Sequence, residues 1–185
     1  MGKRIRLKGL VDAENFAKEQ HEHQTRDDNE TPYWKHLEKV VEILRKLGIT
    51  DDVILCAGWL HDTIEDTDTD YDDIEKFGKE TADIVAIVTK DTRMIRKDRE
   101  IAYCNQLKNG TWQAQIVKFA DILANLKDLE NSSVTESQRK EKAQNKLQYY
   151  NAIKIGLMNN ISNISNFDSE LVKLSDLFLK YEIKI

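Results

Sequence analysis

The sequence predicts an all-α protein, and three observations support this. Only one proline and seven glycines occur in 185 residues, so few positions interrupt regular structure. The apolar residues recur with a helical period along almost the whole chain, and strand-like alternation is absent. Forty per cent of the residues are hydrophobic and a third are charged, which is typical of a globular protein. We therefore expect one domain over residues 1–185, built as a compact bundle of about eight to ten helices.

The first half of the chain contains four predicted helices. A helix over 33–47 is predicted from one apolar stripe that ends at a glycine: Leu37, Val40, Val41, Leu44, Leu47 and Gly48. Residues 52–64 are more evenly apolar around the helix, which predicts a position at the centre of the bundle. The segment 69–72 (TDYD) is typical of a cap and an acidic first turn, so it predicts a short helix that ends at Phe77-Gly78. A further apolar group predicts the next helix: Ile84, Val85, Ile87 and Val88.

The second half of the chain contains four more. A short helix is predicted from Ile101 to Leu107, closed by Asn109-Gly110, and a long one over roughly 111–130. Residues 135–138 (TESQ) match a capping box and start a helix that runs to about 158. The last predicted helix covers 169–181, so the segment 136–185 is expected to pack on the preceding bundle as C-terminal helices.

Charge and composition exclude several classes of function. Twenty-eight lysines and arginines against 33 aspartates and glutamates give a net charge of −5, which argues against a surface for nucleic acid. No apolar stretch is long enough to cross a bilayer, and the basic segment 1–7 is not followed by an apolar signal core. Cys56 and Cys104 lie in apolar helical patterns without metal-type spacing. We expect reduced core cysteines in a cytoplasmic protein.

Two histidines and two aspartates lie at positions where the pattern predicts burial. His36 starts the 33–47 helix on or beside its apolar stripe, and His61-Asp62 ends the central helix. Asp121 lies among the apolar residues of the 111–130 helix. A buried carboxylate is costly unless it is paired or coordinates a cation. Taken singly, His36 is explained by a local hydrogen bond and Asp121 by a pairing with Lys118, but together the four residues favour a shared metal site.

The ligand types narrow the choice of ion. Two neutral imidazoles and two carboxylates form a mixed nitrogen and oxygen site, which suits manganese, iron, cobalt or zinc with positions left for water. A closed structural zinc site would normally use cysteine. If the central helix continues, Glu65 and Asp66 lie one turn beyond His61 and Asp62 on the same face. There the two carboxylates can orient a metal-bound water or protonate a leaving group.

Several motifs resemble one known family. The order and spacing of His36, His61-Asp62 and Asp121 resemble those of the HD-domain metal phosphohydrolases. More closely, four segments resemble the hydrolase domain of the RelA/SpoT homologues, which degrade the guanosine alarmones (p)ppGpp: TPYWKH (31–36), WLHDTIEDTDTDYDDIEKFG (59–78), IVTKD (87–91) and KFADILANLKDL (118–129). The resemblance is clear over 10–130 and weaker beyond. Without a synthetase domain, the chain is similar to the stand-alone small alarmone hydrolases, such as the metazoan SpoT homologue.

The resemblance implies a role for each of these residues. Manganese would be bound by two histidines and two aspartates: His36, His61, Asp62 and Asp121. Glu65 and Asp66 would prepare the attacking water, and Lys118 and Asn125 would line the nucleotide pocket. The reaction would hydrolyse the 3′-pyrophosphate ester of ppGpp or pppGpp to pyrophosphate and GDP or GTP. The partner is thus a small nucleotide, and the oligomeric state is not given by the sequence.

One loop departs from the family pattern. Family members usually carry a basic pair just before the Pro-Tyr motif, whereas here Arg26 stands alone with acids behind it. Arg26 either stacks on a base or meets a phosphate, or it is solvated. The basic side chains of 92–100 either supply the missing charge or form an exposed helix start: Arg93, Arg96, Lys97 and Arg99. Two other functions therefore stay open, namely cleavage of another nucleotide such as the 2′-phosphate of NADPH, and an inactive nucleotide-binding module. The intact Glu65-Asp66 pair argues against inactivity.

Overall fold

The all-α prediction is confirmed. The structure is a computed structural model that describes residues 9–185, so the basic N-terminal segment lies outside the described residues. The α-helices are α1 (Leu10–Gln20), α2 (Trp34–Lys46), α3 (Asp52–Leu60), α4 (Thr63–Asp66), α5 (Tyr71–Glu75), α6 (Lys79–Val88), α7 (Arg96–Asn109), α8 (Trp112–Leu129), α9 (Glu136–Asn159) and α10 (Phe167–Leu179). A 3₁₀ turn covers Ile161–Asn163. The one β-type pairing within residues 9–185 is an isolated antiparallel bridge between Thr25 and Pro32.

Three helix predictions need correction. The central helix does not continue to residue 64, because α3 ends at Leu60 and α4 starts at Thr63. At this break a side chain, in place of a backbone amide, donates to a backbone carbonyl: the Thr63 hydroxyl donates to the Leu60 carbonyl at 2.6 Å. Helix α7 begins well before the predicted start at Ile101, since its polar first turn shows no apolar period. Helix α1 was not predicted, because its buried positions are the small side chains Ala13 and Ala17.

Helix α8 is the centre of the bundle. Most of its residues are buried, and it packs against α2, α3, α6 and α9. Helix α3 also packs on α2, and Gly58 permits the close approach, because a Cβ there would lie 2.7 Å from Leu44 Cδ1. This packing places the start of α2, the end of α3 and the middle of α8 next to one another. No helix in residues 9–185 is both long enough and apolar enough to span a bilayer.

The predicted capping motifs occur where the sequence places them. Thr135 caps α9, with its hydroxyl accepting from the Gln138 amide at 3.3 Å. Asp70 caps α5 and accepts from the Asp73 amide at 3.0 Å. The carboxylates of this later acidic run therefore act at a helix start, where negative charge is favourable. They are distinct from the pair at Glu65-Asp66.

Candidate metal centre and active site

Four side chains from three helices converge at the centre of the bundle. His36 comes from the first turn of α2, His61 and Asp62 from the break between α3 and α4, and Asp121 from the middle of α8. His36 Nε2 lies 3.1 Å from Asp121 Oδ1 and 3.6 Å from Asp62 Oδ2. His61 Nε2 lies 3.1 Å from Asp62 Oδ2 and 3.6 Å from Asp121 Oδ1. The residues expected to share a site from their sequence pattern are thus brought together.

This arrangement fits a divalent ion. Metal bonds of about 2.0–2.2 Å at octahedral or tetrahedral angles put neighbouring ligand atoms about 2.8–3.6 Å apart. His61 Nδ1 donates to the Gly58 carbonyl at 2.9 Å, which leaves the lone pair on Nε2 for an ion. That Nε2 atom is buried and faces the carboxylate oxygens of Asp62 and Asp121. Both histidines are only 1% exposed, so bulk water hardly reaches their ring nitrogens.

The ionisable groups of the metal-free site perturb one another strongly. Burial lowers the pKa of His36, which favours the neutral form that ligates metals. Burial opposes protonation of His61 as well, but the carboxylates of Asp62 and Asp121 outweigh it and raise the pKa of His61 to about 10. The same pairing holds the pKa of Asp62 below its usual value despite burial. A bound cation would replace the His61 proton as the positive charge between the two aspartates.

Lys118 forms the ion pair that was an alternative explanation for Asp121. Its Nζ lies 2.7 Å from Asp121 Oδ2, while Asp121 Oδ1 faces the two histidines. The ammonium also lies 5.2 Å from the ring centres of Tyr103 and Tyr149. Asp121 therefore contacts Lys118 through Oδ2 and the two histidines through Oδ1. Lys118 is only 5% exposed, and the structure places it behind the site.

Glu65 and Asp66 lie on the short helix α4, beside the convergence point. The Tyr33 hydroxyl contacts Asp62 Oδ2 at 2.7 Å and Asp66 Oδ2 at 2.9 Å, so Asp66 lies next to a side chain of the candidate metal site. Burial, followed by the charge of Asp62, raises the pKa of Asp66 to about 6. Glu65 accepts from the Lys90 amide at 3.1 Å. Although α3 and α4 are separate helices, the Asp66 amide donates to the Asp62 carbonyl, which keeps the predicted one-turn spacing.

A cavity of about 940 Å³ borders this centre, and His36 is the member of the centre that lines it. Arg26 and Asn125 both line it, and Arg26 Nη2 donates to Asn125 Oδ1 at 2.8 Å. The guanidinium also lies 3.3 Å from Asp128 Oδ2 and 5.2 Å from the centre of the Tyr33 ring. The Thr25–Pro32 bridge closes the loop that carries Arg26. The structure thus brings together two of the three predicted substrate-binding residues, and Lys118 is not among the residues that line the cavity.

Other elements supply positive charge to the cavity. Its wall includes Lys39, Lys90, Arg99 and Lys146. Lys146, which the sequence pattern does not single out, has its pKa lowered to about 8, mainly by burial. In the segment 92–100, Arg93 is exposed and pairs with Asp91, whereas Arg96 and Arg99 line the cavity from the first turn of α7. Basic residues from four separate segments therefore surround the mouth of the site.

A helical bundle with a His, His-Asp and Asp set at its centre defines an HD-domain hydrolase. The family model described as "HD domain" matches residues 13–156 of this chain. The chain is 36% identical to a zebrafish (Danio rerio) protein named guanosine-3′,5′-bis(diphosphate) 3′-pyrophosphohydrolase MESH1, over 95% of this chain and 96% of the relative. It is 42% identical to the human MESH1 protein over 65% of this chain and 69% of that one.

The structural comparison agrees. A solved structure described as "A metazoan ortholog of SpoT hydrolyzes ppGpp and plays a role in starvation responses" matches with a TM-score of 0.80 at 28% sequence identity. The match covers 97% of both chains. The Escherichia coli protein named bifunctional (p)ppGpp synthase/hydrolase SpoT is 31% identical over 80% of this chain, which corresponds to 21% of the longer relative. The chain belongs to the HD-domain family and, within it, to the MESH1-type pyrophosphohydrolases.

Proposed function

We propose that this protein hydrolyses the 3′-pyrophosphate ester of ppGpp or pppGpp, releasing pyrophosphate and GDP or GTP. The observation that carries this proposal is the convergence of His36, His61, Asp62 and Asp121 with the Glu65-Asp66 pair beside them. Relatives of nearly the same length carry the name of this activity. The free cysteines Cys56 and Cys104 are consistent with action in the reducing cytoplasm.

Manganese is the ion we propose for the centre. A mixed set of two imidazoles and two carboxylates with room for water suits it, and the same set accepts iron, cobalt or zinc. When bound, the ion would polarise a phosphoryl oxygen and lower the pKa of a water towards neutrality. Reconstitution of metal-free protein with each ion, followed by metal analysis and activity measurement, separates the candidates. Equal affinity and turnover with all four ions would contradict a preference for manganese.

The protein's own side chains would position the reactants. Asp66 lies beside the ligand Asp62, where its carboxylate can hold the attacking water. Glu65 accepts from the Lys90 amide and lies 3.8 Å from the Lys90 ammonium, so this pair would offer a base and a cation together to the reacting phosphates. Arg26 and Asn125 would contact the nucleotide on the other side of the cavity. Lys118 would act through Asp121, by balancing its charge.

The volume and charge of the cavity suit a nucleotide with phosphate chains at both its 3′ and 5′ positions. About 940 Å³ lies at the upper end of the usual range for small-molecule sites. Lys39, Lys90, Arg99 and Lys146 provide the positive charge that the loop around Arg26 lacks. Phosphate groups are recognised by such ammonium and guanidinium groups through charge-assisted hydrogen bonds. We expect these side chains from α2, α7 and α9, together with Lys90 after α6, to compensate for the departure in the loop.

A second candidate substrate is another phosphorylated nucleotide, such as NADPH cleaved at its 2′-phosphate. The observation that favours it is the loop itself, in which Asp27, Asp28 and Glu30 line the cavity next to Arg26. The test is a side-by-side assay of ppGpp, pppGpp and NADPH with manganese-loaded protein. We expect pyrophosphate release from the guanosine nucleotides with the higher kcat/KM. If phosphate were released from NADPH and neither guanosine nucleotide were cleaved, the second candidate would replace the first. Absence of turnover with all three substrates would favour an inactive binding module.

A further inference from the structure

The hydroxyl of Tyr33 connects a metal ligand to a carboxylate of the catalytic pair. It lies 2.7 Å from Asp62 Oδ2 and 2.9 Å from Asp66 Oδ2. A hydroxyl carries one proton, so this proton is shared between two acceptors on different turns of the chain. Within residues 9–185 no other side chain hydrogen-bonds to the Asp66 carboxylate, whereas Glu65 is held independently by Lys90. The direction of the Asp66 carboxylate therefore depends on Tyr33.

His21 holds the ring of Tyr33 in place. The two rings are stacked, with centres 4.7 Å apart and planes 15° from parallel. His21 is fully buried, which lowers its pKa and favours the neutral imidazole. Its position at the C-cap of α1 fixes it to the bundle through its backbone amide, which donates to the Ala17 carbonyl at 3.1 Å. The buried, neutral imidazole of His21 thus packs against one face of the Tyr33 ring.

Gln24 connects His21, Tyr33 and Asp66 through hydrogen bonds. Its Nε2 donates to the Asp66 carbonyl at 2.7 Å, and because a carbonyl only accepts, the orientation of the Gln24 amide is determined. Its Oε1 therefore faces His21 Nδ1 at 2.7 Å, so His21 donates from Nδ1. The Tyr33 amide in turn donates to the Gln24 carbonyl at 2.9 Å. The loop after α1 is thereby tied to both the main chain and the side chain of Asp66.

We propose that Tyr33 and His21 are positioning residues for hydrolysis: Tyr33 fixes the Asp66 carboxylate against Asp62, and His21 fixes the ring of Tyr33. This inference rests on the proposed function, since it assigns to Asp66 the water-holding role. Correct placement of a catalytic group to within a fraction of an ångström strongly affects the rate. Loss of the tyrosine hydroxyl should accordingly lower kcat and leave nucleotide binding intact, because Tyr33 is not part of the cavity wall.

The first test compares two tyrosine-to-phenylalanine variants. Tyr33→Phe keeps the ring that stacks on His21 and removes only the hydroxyl. We expect kcat to fall about 10- to 100-fold with KM within about twofold of wild type and one metal ion still bound per chain. Tyr71→Phe is the matched control, because the Tyr71 hydroxyl also donates to a carboxylate, Asp83 at 2.6 Å, on the surface away from the cavity. Unchanged kcat in Tyr33→Phe would overturn the proposal.

The second test compares two histidines of the same loop. His21→Leu removes the buried stacking partner, whereas His23→Leu changes an exposed side chain two residues later. We expect His21→Leu to reduce kcat about tenfold at full metal occupancy, and to add little to the loss already caused by Tyr33→Phe, because the two act on one carboxylate. Equal kcat in both histidine variants, or fully multiplicative losses in the double variant, would contradict a shared positioning role.

A folding measurement makes the inference independent of activity. Tyr33→Phe, Asp66→Ala and their combination form a double-mutant cycle in metal-free protein, measured by denaturant unfolding. We expect the double variant to be about fivefold more stable, as a folding equilibrium constant, than the product of the single effects predicts. Strictly multiplicative effects would show that the contact does not form. If wild-type protein cleaved none of the nucleotides, the proposed function would fail, while this cycle would still decide whether Tyr33 holds Asp66.

Discussion

Replacing Asp121 by asparagine should expose the energetic role of the Lys118–Asp121 pair. The substitution keeps the shape of the side chain and removes its charge. Lys118 is 5% exposed, its Nζ is 2.7 Å from Asp121 Oδ2, and Asp121 is the only acid with which it forms an ion pair within residues 9–185. Asp121→Asn therefore leaves a buried ammonium without its counter-charge. Lys118→Met in the same chain removes that ammonium and keeps most of the apolar stem.

The structure sets the expected size of the effect. Breaking a buried ion pair by removing one partner costs about 3–5 kcal/mol. For a chain of this length each kcal/mol changes Tm by about 2–4 °C, so Asp121→Asn should lower Tm by about 6–20 °C. The double variant lacks the unpaired Lys118 ammonium, so it should regain more than half of the lost free energy of unfolding. It should still bind metal more weakly than wild type, because a neutral amide replaces the carboxylate that faces both histidines.

The assay is denaturant unfolding of wild type, Asp121→Asn and the double variant in the presence of a chelator, so that metal affinity does not contribute. Metal binding is measured separately by titration calorimetry. A loss below about 1 kcal/mol in Asp121→Asn would show that Lys118 does not depend on this partner. A double variant less stable than the single variant would refute the explanation by an unpaired ammonium.

Three further predictions concern the catalytic pair, the cavity and the packing. Glu65→Gln and Asp66→Asn should each retain one metal ion per chain while kcat falls about 10²- to 10⁴-fold; normal turnover in either would contradict its catalytic role. Because burial lowers the pKa of Lys146 to about 8, its charge is present below that pH and lost above it. Wild-type kcat/KM should thus fall about tenfold from pH 7 to 9.5, whereas Lys146→Arg should stay nearly flat. Gly156→Ala should destabilise the fold by about 1–3 kcal/mol, since its Cβ would lie 1.9 Å from Gln115 Oε1; unchanged unfolding would contradict the close approach.

Much of the candidate metal centre could be predicted, because polar residues stand out in a sequence where the surrounding apolar pattern predicts burial. His36 and Asp121 interrupt apolar helical stripes, and the helical period fixes which way each faces. The sequence left two explanations for Asp121, a metal and Lys118, as alternatives. In the structure the two carboxylate oxygens point to different partners, Oδ2 to Lys118 and Oδ1 to the histidines, so the two explanations are compatible. That division depends on side-chain direction, which periodicity does not contain.

The supporting residues could not be predicted, because they depend on loop closure. Tyr33 reaches Asp66 only when the Thr25–Pro32 bridge folds the loop back on α1, and this bridge has no apolar pattern of its own. The same holds for Lys146, whose place on the cavity wall follows from the packing of α9 on α7 and α8. The break between α3 and α4 was also missed, because it relies on side-chain bonds within an otherwise apolar run.

A crystal structure of the manganese-soaked protein, with anomalous scattering recorded at the manganese edge, tests the metal centre most directly. We expect one anomalous peak per chain, at about 2.0–2.3 Å from the imidazole nitrogens of His36 and His61 and from carboxylate oxygens of Asp62 and Asp121. The Asp66 carboxylate should lie within hydrogen-bond reach of a water on that ion. No peak among these four side chains, or a peak held by other residues, would contradict the account.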